Sequence, residues 1–584
     1  MNKKINFKSN NIDQITFSII QSSFQNIVDE MNTTLFRSAL SLVITEGRDI
    51  GGAIFDKNGY LVNQGTWDLA VFVGMLEFSC RAILEKFKNN IHPGDIFIIN
   101  DPFVGGTHFN DVGFIKPIFH ENNLEAFTAI VGHWPDIGGA FPGSFAPFAE
   151  EYYMEGMRIP LIKIVEKSKV VNQVLDLILA NVRNSIERKG DIEAQISAVR
   201  VGEERFKKLI NKFSIDAVRF FMSEIIKKSE SSLKKEILSM KDGVYEFEDF
   251  LDVESKNNLN PVRIHLSLKV NRDKAIFDFS KSDHQCASAT NGTRSSTSSA
   301  IFVTTKSLFP KIPMNHGCFA PIEIILPPNS VVDASPPSAV SAMATSVYEK
   351  VIGVTLGAFS KVIPDKVMAC PYNLINLTIG GVDPLNDNYY VFYLYSEGGF
   401  GGRFTKDGNA GLVSLYGGGA KITPVEVFEK KYPLKFEEWT FEIDSGGPGQ
   451  FRGGYGSKKS FYLTRGKAKL TVLGDREKFP AWGLFGGKNG SPQRLILNEG
   501  TKDEKNLTLR ASGYEIKAGD KVTLYSGGGG GYGNPFNRNP EAVLKDVIDD
   551  HVSVENAEKD YGVVIDRNEM KVDLSKTKKL RNKK

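Results

Sequence analysis

Two long apolar runs separated by a short polar turn constrain the fold of this chain most strongly. Val112–Phe119 and Leu124–Gly132 have the length and composition of buried strands, and His120–Asn123 between them is polar. The pattern predicts an antiparallel hairpin. A shorter apolar run, Asp95–Asn100, precedes it and leads into a Gly-Gly loop.

The predicted register brings several possible metal ligands together. His108 and Asp111 follow the Gly-Gly pair, and His133 ends the second strand of the hairpin. If Phe119 pairs with Leu124, Asp111 is expected directly opposite Gly132 and therefore next to His133. Because side chains alternate between the two faces of a strand, a change of one residue in the turn length would move each side chain to the opposite face of the sheet. The prediction therefore depends on the turn length.

The chemistry of these side chains favours a metal site. His108, Asp111, His133 and Asp136 supply two imidazoles and two carboxylates, a set that suits zinc, manganese or iron with a position left open for water or substrate. A histidine at a strand end is more often a hydrogen-bonded loop residue, and an H-x-x-D pattern alone is weak. The chain has only 8 His among 584 residues, however. Two of them beside carboxylates in one predicted hairpin favour a metal site.

Composition excludes several other classes of protein. The 72 basic and 69 acidic residues leave a net charge of +3, which gives no support for nucleic acid binding. The 4 Cys have no C-x-x-C spacing, which predicts reduced thiols and a cytoplasmic location. No apolar run is long enough to span a bilayer, and the first residues lack a signal segment, so no membrane association is expected.

A chain of this length is expected to divide into two to four domains. The predicted fold class is α+β and multidomain, with mixed or antiparallel sheets and helical segments. Helical spacing is predicted over Gln14–Leu40 and from Val171 to Met240, and a new strand pattern begins near Lys241–Tyr245. The predicted domains are 1–240, a metal-bearing catalytic α+β domain; 241–433, a middle α+β domain; and 434–584, a Gly-rich and mostly β module with short terminal helices and a basic tail.

The C-terminal module is predicted to be a β-sandwich or barrel-like, because short strand patterns alternate with glycines. Gly527–Gly531 resembles a phosphate-binding loop only superficially, since neither G-K-[ST] nor dinucleotide-fold spacing accompanies it. Close backbone packing explains it better, and the same holds for Gly398–Gly402 and Gly417–Gly419, although either could shape a ligand cavity. The basic segment Thr577–Lys584 is predicted to be a solvated, frayed tail.

Many segments together resemble one known family. They are RDIGGAIFDKNGYLVNQG (48–65), NDPFVGGTHFNDV (100–112), GHWPDIGG (132–139), NVRNSIERKGDIEAQISA (181–198), the long segment 312–342, SGGPGQFRGGYG (445–456), LFGGKNG (484–490) and the segment 527–547. In this order they resemble the B-type chain of the hydantoinase/oxoprolinase family, which also includes the alpha subunits of acetone and acetophenone carboxylases.

The resemblance implies a ligand set and a partner. A divalent metal would be held by Asp49, His108, Asp111 and His133, and Asp136 would then orient His133 or a bound water. From spacing alone, Asp49 is only a cap or turn residue. The resemblance also implies that ATP is bound by a partner, the A-type (hydantoinase A-like) subunit of a hetero-oligomer, which phosphorylates the substrate carbonyl.

Three functions follow from this resemblance. The preferred one is an ATP-dependent cyclic amide hydrolase, in which metal-activated water opens a phosphorylated lactam or imide ring. The alternatives are an alpha-type subunit of an acetone carboxylase-like enzyme, in which the same centre would stabilise an enolate, and a non-catalytic scaffold for the ATPase partner. The retained ligand set argues against the scaffold.

Two segments depart from the family pattern and bear on the substrate. Gly65–Gly74 reads GTWDLAVFVG where family members often have a segment resembling HIPVHLG, and Leu415–Ala420 replaces an Asn-rich stretch. Asp68 in the first segment is a candidate general base or substrate-orienting residue, or else a solvated loop residue. Arg158 and Arg183 lie in family-like motifs and could contact an anionic intermediate or form structural ion pairs.

Overall fold

The computed structural model describes residues 14–582, so the predicted absence of a signal segment falls outside the described residues. The helices are α1 (Gln14–Ser38), α2 (Leu42–Thr45), α3 (Met75–Phe87), α4 (Asn172–Ala180), α5 (Ser185–Phe213), α6 (Ile215–Leu238), α7 (Arg294–Leu308), α8 (Val347–Ser360), α9 (Val425–Lys431), α10 (Pro540–Ile548), α11 (Val554–Tyr561) and α12 (Leu574–Arg581). The predicted N-terminal helix and the helical region before residue 241 are confirmed. Over residues 14–582, none of these helices has the length and apolar character needed to cross a bilayer.

A seven-stranded antiparallel sheet carries the predicted hairpin. Its strands are β1 (Ile50–Asp56), β2 (Leu61–Gln64), β3 (Ile96–Ile99), β4 (Asp111–His120), β5 (Asn123–His133), β6 (Ile162–Glu166) and β7 (Lys169–Val170), in the order β2-β1-β5-β4-β3-β6-β7. Ile54, Phe114 and Ile130 pack against α1 and α5 on one face, and Phe55 and Phe127 pack into a second core on the other. Burial on both faces explains why β4 and β5 read as nearly continuous apolar runs.

The hairpin register differs from the prediction by one residue over most of its length. Phe119 pairs with Leu124 as predicted, and residues 121 and 122 form the two-residue turn with positive φ values of 48° and 66°. A β-bulge then leaves Glu125 without a directly opposed partner, so Ile118 pairs with Ala126. Beyond the bulge Asp111 lies directly opposite His133 rather than opposite the preceding glycine, which corrects the predicted pairing.

The bulged residue of β5 pairs with a distant arginine. The Glu125 side chain is buried at 1% exposure and accepts hydrogen bonds from Arg219 Nε at 2.7 Å and Arg219 Nη2 at 2.5 Å. Arg219 lies on α6, far beyond the hairpin in sequence. The extra residue of β5 is therefore used to place a carboxylate against α6.

A four-stranded mixed sheet begins at the predicted boundary near residue 243. It consists of β8 (Gly243–Leu251), β9 (Val262–Asn271), β10 (Lys274–Asp278) and β11 (Ile322–Ile325), in the order β11-β10-β9-β8, with β10 and β11 parallel. The apolar residues Ile264, Leu266 and Leu268 of β9 belong to the same core as α8, every residue of which is buried. The new strand pattern predicted near Lys241–Tyr245 is confirmed by β8.

Two open antiparallel sheets form the Gly-rich part of the chain. Their strands are β12 (Asn376–Asp383), β13 (Asn388–Tyr395), β14 (Leu434–Phe441), β15 (Ser457–Leu463), β16 (Lys467–Leu473), β17 (Arg494–Leu497), β18 (Lys505–Leu507), β19 (Tyr514–Lys517) and β20 (Lys521–Tyr525), and a small pair, β21 (Ile565–Asp566) and β22 (Lys571–Val572), follows. The orders are β13-β12-β16-β19 and β14-β15-β20-β17-β18. Both sheets contribute to one apolar core, as in a β-sandwich, and within residues 14–582 no sheet closes into a barrel.

The first of these sheets crosses the predicted boundary at residue 434. β12 and β13 precede that position, whereas β16 and β19 follow it, and β12 pairs with β16 over six residues from Asn376 to Gly381. A division at 433/434 would therefore cut through a hydrogen-bonded sheet. Strand pairing joins the last part of the predicted middle domain to the C-terminal module.

The glycine clusters pack backbone against backbone, as the sequence suggested. A Cβ atom on Gly528 would lie 1.8 Å from the carbonyl oxygen of Ser445, and one on Gly529 would lie 2.1 Å from that of Phe400. In the cluster 398–402, a Cβ on Gly401 would lie 1.9 Å from the carbonyl oxygen of Ala369. These positions require glycine because another chain segment occupies the space of the side chain.

The basic C-terminal segment is not frayed through the residues that the structure describes. It forms α12, whose N-cap Asp573 accepts a hydrogen bond from Lys576 N, and Thr577 is buried. Arg581 Nη2 donates to the carbonyl oxygens of Tyr561 and Arg538 at 2.9 Å each. The prediction of a frayed tail is therefore wrong for residues up to 582, because these contacts dock the helix on its neighbours, whereas the lysines of the helix are solvent-exposed as predicted.

Candidate metal centre

Three strands bring the candidate ligands to one end of the large sheet. Asp111 begins β4 and His133 ends β5, directly opposite each other. β1 pairs with the other side of β5, so Asp49, just before β1, lies beside His133, whose amide donates to the Asp49 carbonyl at 3.0 Å. His108 lies in the loop before β4, and the Asp111 amide donates to its carbonyl at 3.1 Å. Backbone pairing therefore fixes the position of all four residues.

The side chains converge in the interior. His108, Asp111 and His133 each present a ligand atom, and these atoms lie within 4.8 Å of one another. His108 Nδ1 is 2.8 Å from Asp111 Oδ2, and His133 Nδ1 is 3.1 Å from Asp111 Oδ1 and 3.9 Å from Asp49 Oδ2. The four residues are at most 6% exposed. The structure thus brings together the four residues that the family resemblance implied as ligands.

Several polar atoms of this cluster lack a hydrogen-bond partner. Asp49 Oδ1, both ring nitrogens of His108 and His133 Nε2 are buried and form no hydrogen bond within residues 14–582. The contact of His108 Nδ1 with Asp111 therefore lacks hydrogen-bond geometry. Unpaired buried donors and acceptors are costly. His133 Nδ1 is hydrogen-bonded to Asp111 Oδ1 at 3.1 Å, which leaves its Nε2 free, and unpaired nitrogen and carboxylate atoms that converge in this way fit a bound cation.

Electrostatics favours a cation at the same place. Burial, and then the negative charge of Asp111, raise the pKa of Asp49 well above its usual value. Burial opposes ionisation of Asp111 too, but His108 and His133 outweigh it and hold the pKa of Asp111 below its usual value. Burial lowers the pKa of His133. The lowered pKa values of His133 and Asp111 favour the neutral imidazole and the ionised carboxylate, which are the forms that metal ligands need, and a cation beside Asp49 would offset the effects that oppose its ionisation.

Residues that the sequence did not single out complete the centre. The Thr107 hydroxyl donates to Asp111 Oδ2. The ring of Tyr393 stacks on His133 at a centroid distance of 5.2 Å, its hydroxyl donates to Asn376 Oδ1 at 3.1 Å, and Phe145 lies 6.4 Å from both imidazole rings. Thr107 adjoins His108 in sequence, so adjacency could have suggested it. Tyr393 belongs to β13, and no local signal links it to the hairpin.

Comparison with known proteins identifies the family. The family model for hydantoinase B/oxoprolinase matches residues 13–535. The chain belongs to this family. It is 30% identical over 595 residues to the B-type chain of a putative D-/L-hydantoinase from Pseudomonas sp. strain NS671, with 99% of both chains covered.

Two solved structures resemble this hydantoinase B family member over nearly its whole length. The ATP-dependent caprolactamase from Pseudomonas jessenii superposes with a TM-score of 0.92 at 27% identity, covering 98% of this chain and 100% of the other. Acetone carboxylase in a nucleotide-free structure gives a TM-score of 0.87 at 21% identity, covering 98% and 83%. The second likeness shows the shared α+β fold alone.

Asp136 is engaged by Arg183 rather than by His133. Arg183 Nη1 donates to Asp136 Oδ2 at 2.8 Å, and the same carboxylate accepts from the amides of Gly138 and Gly143 at 2.9 and 3.1 Å. In this hydantoinase B family member, Asp136 therefore does not orient His133 as expected. It forms an ion pair with Arg183 and bonds to backbone amides of its own loop. Asp136 fastens the loop that follows β5.

Asp68 is buried, not solvated. Its Oδ1 accepts from Asn32 Nδ2 at 2.6 Å, and its Oδ2 accepts from the amides of Gly52 and Gly65 at 2.9 and 3.0 Å. Burial raises the pKa of Asp68 to about 7, although these hydrogen bonds act in the opposite direction. The solvated-loop interpretation is wrong, and the bonds from Gly52 of β1 and Asn32 of α1 anchor the Gly65–Gly74 segment.

The two segments that depart from the family pattern contact each other. Ala70 N donates to the carbonyl oxygen of Gly418 at 2.8 Å, and Val71 N donates to that of Tyr416 at 3.0 Å. Burial, followed by the charges of Asp111 and Asp49, raises the pKa of Tyr416 well above its usual value. The segments around residues 68 and 416 thus form one unit close to the candidate ligands.

The two arginines named from the sequence are ion-pair members. Arg158 donates to Asp101 Oδ2 through Nε at 2.9 Å and Nη2 at 2.7 Å, and to the Tyr152 hydroxyl at 3.2 Å. Arg183 pairs with Asp136 as described above. Both residues therefore form structural ion pairs, which was one of the two predicted alternatives. Their guanidinium groups are hydrogen-bonded to other residues of the protein.

Proposed function

We propose that this chain is the metal-bearing subunit of an ATP-dependent cyclic amide hydrolase. In this proposal it opens a lactam or imide ring after an A-type ATP-binding partner subunit has phosphorylated the carbonyl oxygen. The observation that carries the proposal is the convergence of His108, Asp111 and His133 within 4.8 Å, with buried ring nitrogens left unpaired. The likeness to a chain of an ATP-dependent caprolactamase supports the reaction class.

Four residues would hold the ion. Asp49, His108, Asp111 and His133 offer the nitrogen and carboxylate ligands of zinc, manganese or iron. When bound, such an ion lowers the pKa of a coordinated water and polarises a carbonyl, which is the chemistry that amide hydrolysis requires.

The surrounding side chains have separate tasks in this proposal. The Thr107 hydroxyl orients the Asp111 carboxylate by donating to one of its oxygens. Tyr393 holds the His133 imidazole by stacking on it, and Phe145 and Tyr393 together exclude water from the ligands. Asp68 and Asp136, which the sequence suggested as catalytic groups, act as positioning residues, because protein donors occupy both oxygens of each carboxylate.

The partner and the cellular location belong to the same proposal. Similar chains are named as the B-type component of a hydantoinase and the beta component of a caprolactamase, which implies further subunits. The sequence offers no phosphate-binding motif, so we assign ATP to the A-type partner of a hetero-oligomer. All four cysteines are free and buried, which agrees with a reducing, cytoplasmic location.

Purification with the A-type partner tests this function. The complex is expected to open caprolactam, 5-oxoproline or a hydantoin with ATP and without bicarbonate, and to contain a stoichiometric divalent metal. Turnover that requires a ketone and bicarbonate would assign the chain to the carboxylases. A complex that contains no metal after supplementation and turns over neither class of substrate would indicate a scaffold.

A further inference from the structure

Two of the candidate ligands lie where the hairpin ends. Asp111 and His133 form the last opposed pair of β4 and β5, and Trp134 lies just beyond the end of β5. Residues at the end of a strand pair open more readily than residues in its middle. Contacts from outside the hairpin therefore matter for the geometry of this pair.

One side chain of α5 contacts both strand ends. Gln195 Nε2 donates to the carbonyl oxygen of Val112 at 2.8 Å, and Gln195 Oε1 accepts from Trp134 Nε1 at 2.8 Å. Val112 is the residue after Asp111, and Trp134 is the residue after His133. The side-chain amide therefore bridges the two strands one residue away from each of these ligands.

The two partners fix the orientation of the Gln195 amide. An indole N–H only donates and a carbonyl oxygen only accepts, so the amide oxygen must face Trp134 and the amide nitrogen must face Val112. Gln195 is 0% exposed, so water does not compete for these bonds. An apolar side chain of the same length would fill the space but would remove the bridge.

The Trp134 ring is also held by a second residue of the same helix. The Arg188 guanidinium lies over the ring at 4.8 Å, and Arg188 Nη1 donates to Asp191 Oδ2 at 2.8 Å. Arg188 and Asp191 are 1% and 0% exposed. With Gln195 they occupy positions i, i+3 and i+7 of α5, so the three residues form one buried polar face of the helix.

This polar face also holds the turn that leads to a third candidate ligand. Asp191 Oδ1 accepts from the amides of Leu40 and Ser41 at 2.8 and 3.1 Å. Ser41 is the N-cap of α2, and the carbonyl oxygen of Val43 in α2 accepts from the amide of Asp49 at 3.0 Å. The helix α5 therefore contacts the chain close to three of the four candidate ligands.

Stability alone is a weak reason for such a face. A buried ion pair recovers little more than the cost of removing its charges from water, and well-packed apolar residues often stabilise a protein as well. Arg188 Nε is even buried without a hydrogen bond within residues 14–582. Hydrogen bonds differ from apolar packing in that they fix direction and distance, which a metal centre requires.

We propose that Gln195 is a positioning residue of the metal centre, which fixes the strand ends that carry Asp111 and His133 by bridging Val112 and Trp134. This inference rests on the proposed function. Gln195 would act through the backbone of the two strands and would touch neither the ion nor the substrate.

Cobalt binding to the full chain tests this role, because the visible absorption bands of bound Co²⁺ report the geometry of its ligands. Gln195→Met keeps the length of the side chain and removes both hydrogen bonds. It is expected to change the absorption bands and to lower the affinity for Co²⁺, measured by competition with a chelator, by about 10–100-fold. Wild-type affinity and wild-type bands in this variant would overturn the proposal.

Gln493→Met is the matched control. Gln493 is 2% exposed, and its Nε2 donates to the carbonyl oxygen of Asn373, so this variant also removes a buried amide from its partner. Both variants are expected to lower the unfolding midpoint, whereas cobalt binding is expected to change only in Gln195→Met. An equal change of cobalt binding in both variants would mean that lost stability explains it, and the positioning role would fall.

Trp134→Phe tests the bridge from its other end, and it also serves if Gln195→Met gives no soluble protein. It removes the indole N–H, keeps a ring beneath Arg188 and is expected to lower cobalt affinity and change the bands. Combined with Gln195→Met, it should lower the affinity by less than the product of the two single factors, because both changes break one bridge. Unchanged bands in Trp134→Phe, or factors that multiply, would contradict the bridge.

The failure of this inference can be told apart from the failure of the proposed function. A complex that binds Co²⁺ in a Gln195-dependent way but opens no cyclic amide would refute the proposed reaction and leave the role of Gln195 standing. Equal cobalt binding by wild type and Gln195→Met would refute that role alone. A wild-type chain that binds no Co²⁺ would refute the metal centre and both proposals with it.

Discussion

Asp111 and His133 are a directly opposed pair of β4 and β5, with His133 Nδ1 3.1 Å from Asp111 Oδ1. The two strands are buried on both faces, and their backbones hydrogen-bond along the whole hairpin. Strand pairing therefore sets the distance between these side chains, and the side chains are not needed to hold the strands together. Substitution of these side chains is therefore expected to change metal binding without unfolding the hairpin.

His133→Ala should remove the metal and keep the fold. Outer-shell partners alone alter metal affinity by about 10–100-fold, so loss of a ligand should reduce affinity at least as much. Elemental analysis of purified protein measures the metal, and circular dichroism measures the fold. His316→Ala is the matched control, because His316 pairs with Glu77 away from the centre. Wild-type metal occupancy in His133→Ala would exclude His133 as a ligand.

The sequence could predict the hairpin because its signals are local. Apolar runs, a polar turn and scarce histidines place His108, Asp111 and His133 within one supersecondary unit. The one-residue bulge could not be predicted, because the bulged Glu125 pairs with Arg219, 94 residues further along the chain, and no local pattern indicates that contact. The position of Asp49 depends likewise on the pairing of β1 with β5, and only the family resemblance suggested Asp49 as a ligand.

Non-local pairing also crosses the domain boundary that composition predicted near residue 434. A change to Gly-rich composition near Leu434 suggested a new domain, but composition does not report which strands pair. β12 and β13 join strands that follow residue 434, and the aromatic wall that Tyr393 provides for the centre comes from this shared sheet. The sheet that supplies Tyr393 to the site is therefore built from strands on both sides of the predicted boundary.

Stability should depend on pH through Asp68. Its pKa rises from 3.8 in the unfolded chain to about 7 in the fold. Between these values the unfolded state releases its proton while the folded state keeps it, so the contribution of Asp68 to stability falls as pH rises and is fully lost above about 7. Asp68→Asn should remove this part of the pH dependence.

Thermal unfolding at about pH 5 and about pH 8 tests this expectation. The unfolding midpoint of Asp68→Asn, measured relative to that of wild type, should be higher at the higher pH than at the lower pH. The amide can retain the bonds from Gly52 and Gly65 through its oxygen, and Asn32 Oδ1, which is buried without a hydrogen bond within residues 14–582, can accept from its nitrogen. Parallel curves for the two proteins would contradict the assignment.

Gly528→Ala should prevent correct folding of the Gly-rich module. The added Cβ would lie 1.8 Å from the Ser445 carbonyl oxygen, and backbone cannot yield there without breaking its own hydrogen bonds. Gly527→Ala is a matched control in the same cluster, because its nearest atom, the Ser491 carbonyl oxygen, would be 3.2 Å away. Soluble yield and unfolding midpoint should fall sharply for Gly528→Ala only, and similar values for both variants would contradict this packing.

Removing Arg219 should loosen the hairpin end without disturbing the metal centre. Arg219→Met leaves the buried Glu125 carboxylate without its two charged hydrogen bonds, and a loss of about 2 kcal/mol is expected, because water reaches the half-exposed arginine side of the pair. Hydrogen exchange should quicken in residues 118–126, where the bulge lies, and stay slow at His133. Glu125→Gln combined with Arg219→Met should recover part of the stability, since no buried charge then remains. Equal protection of residues 118–126 in wild type and Arg219→Met would mean that the bulge is set by the turn and not by the ion pair.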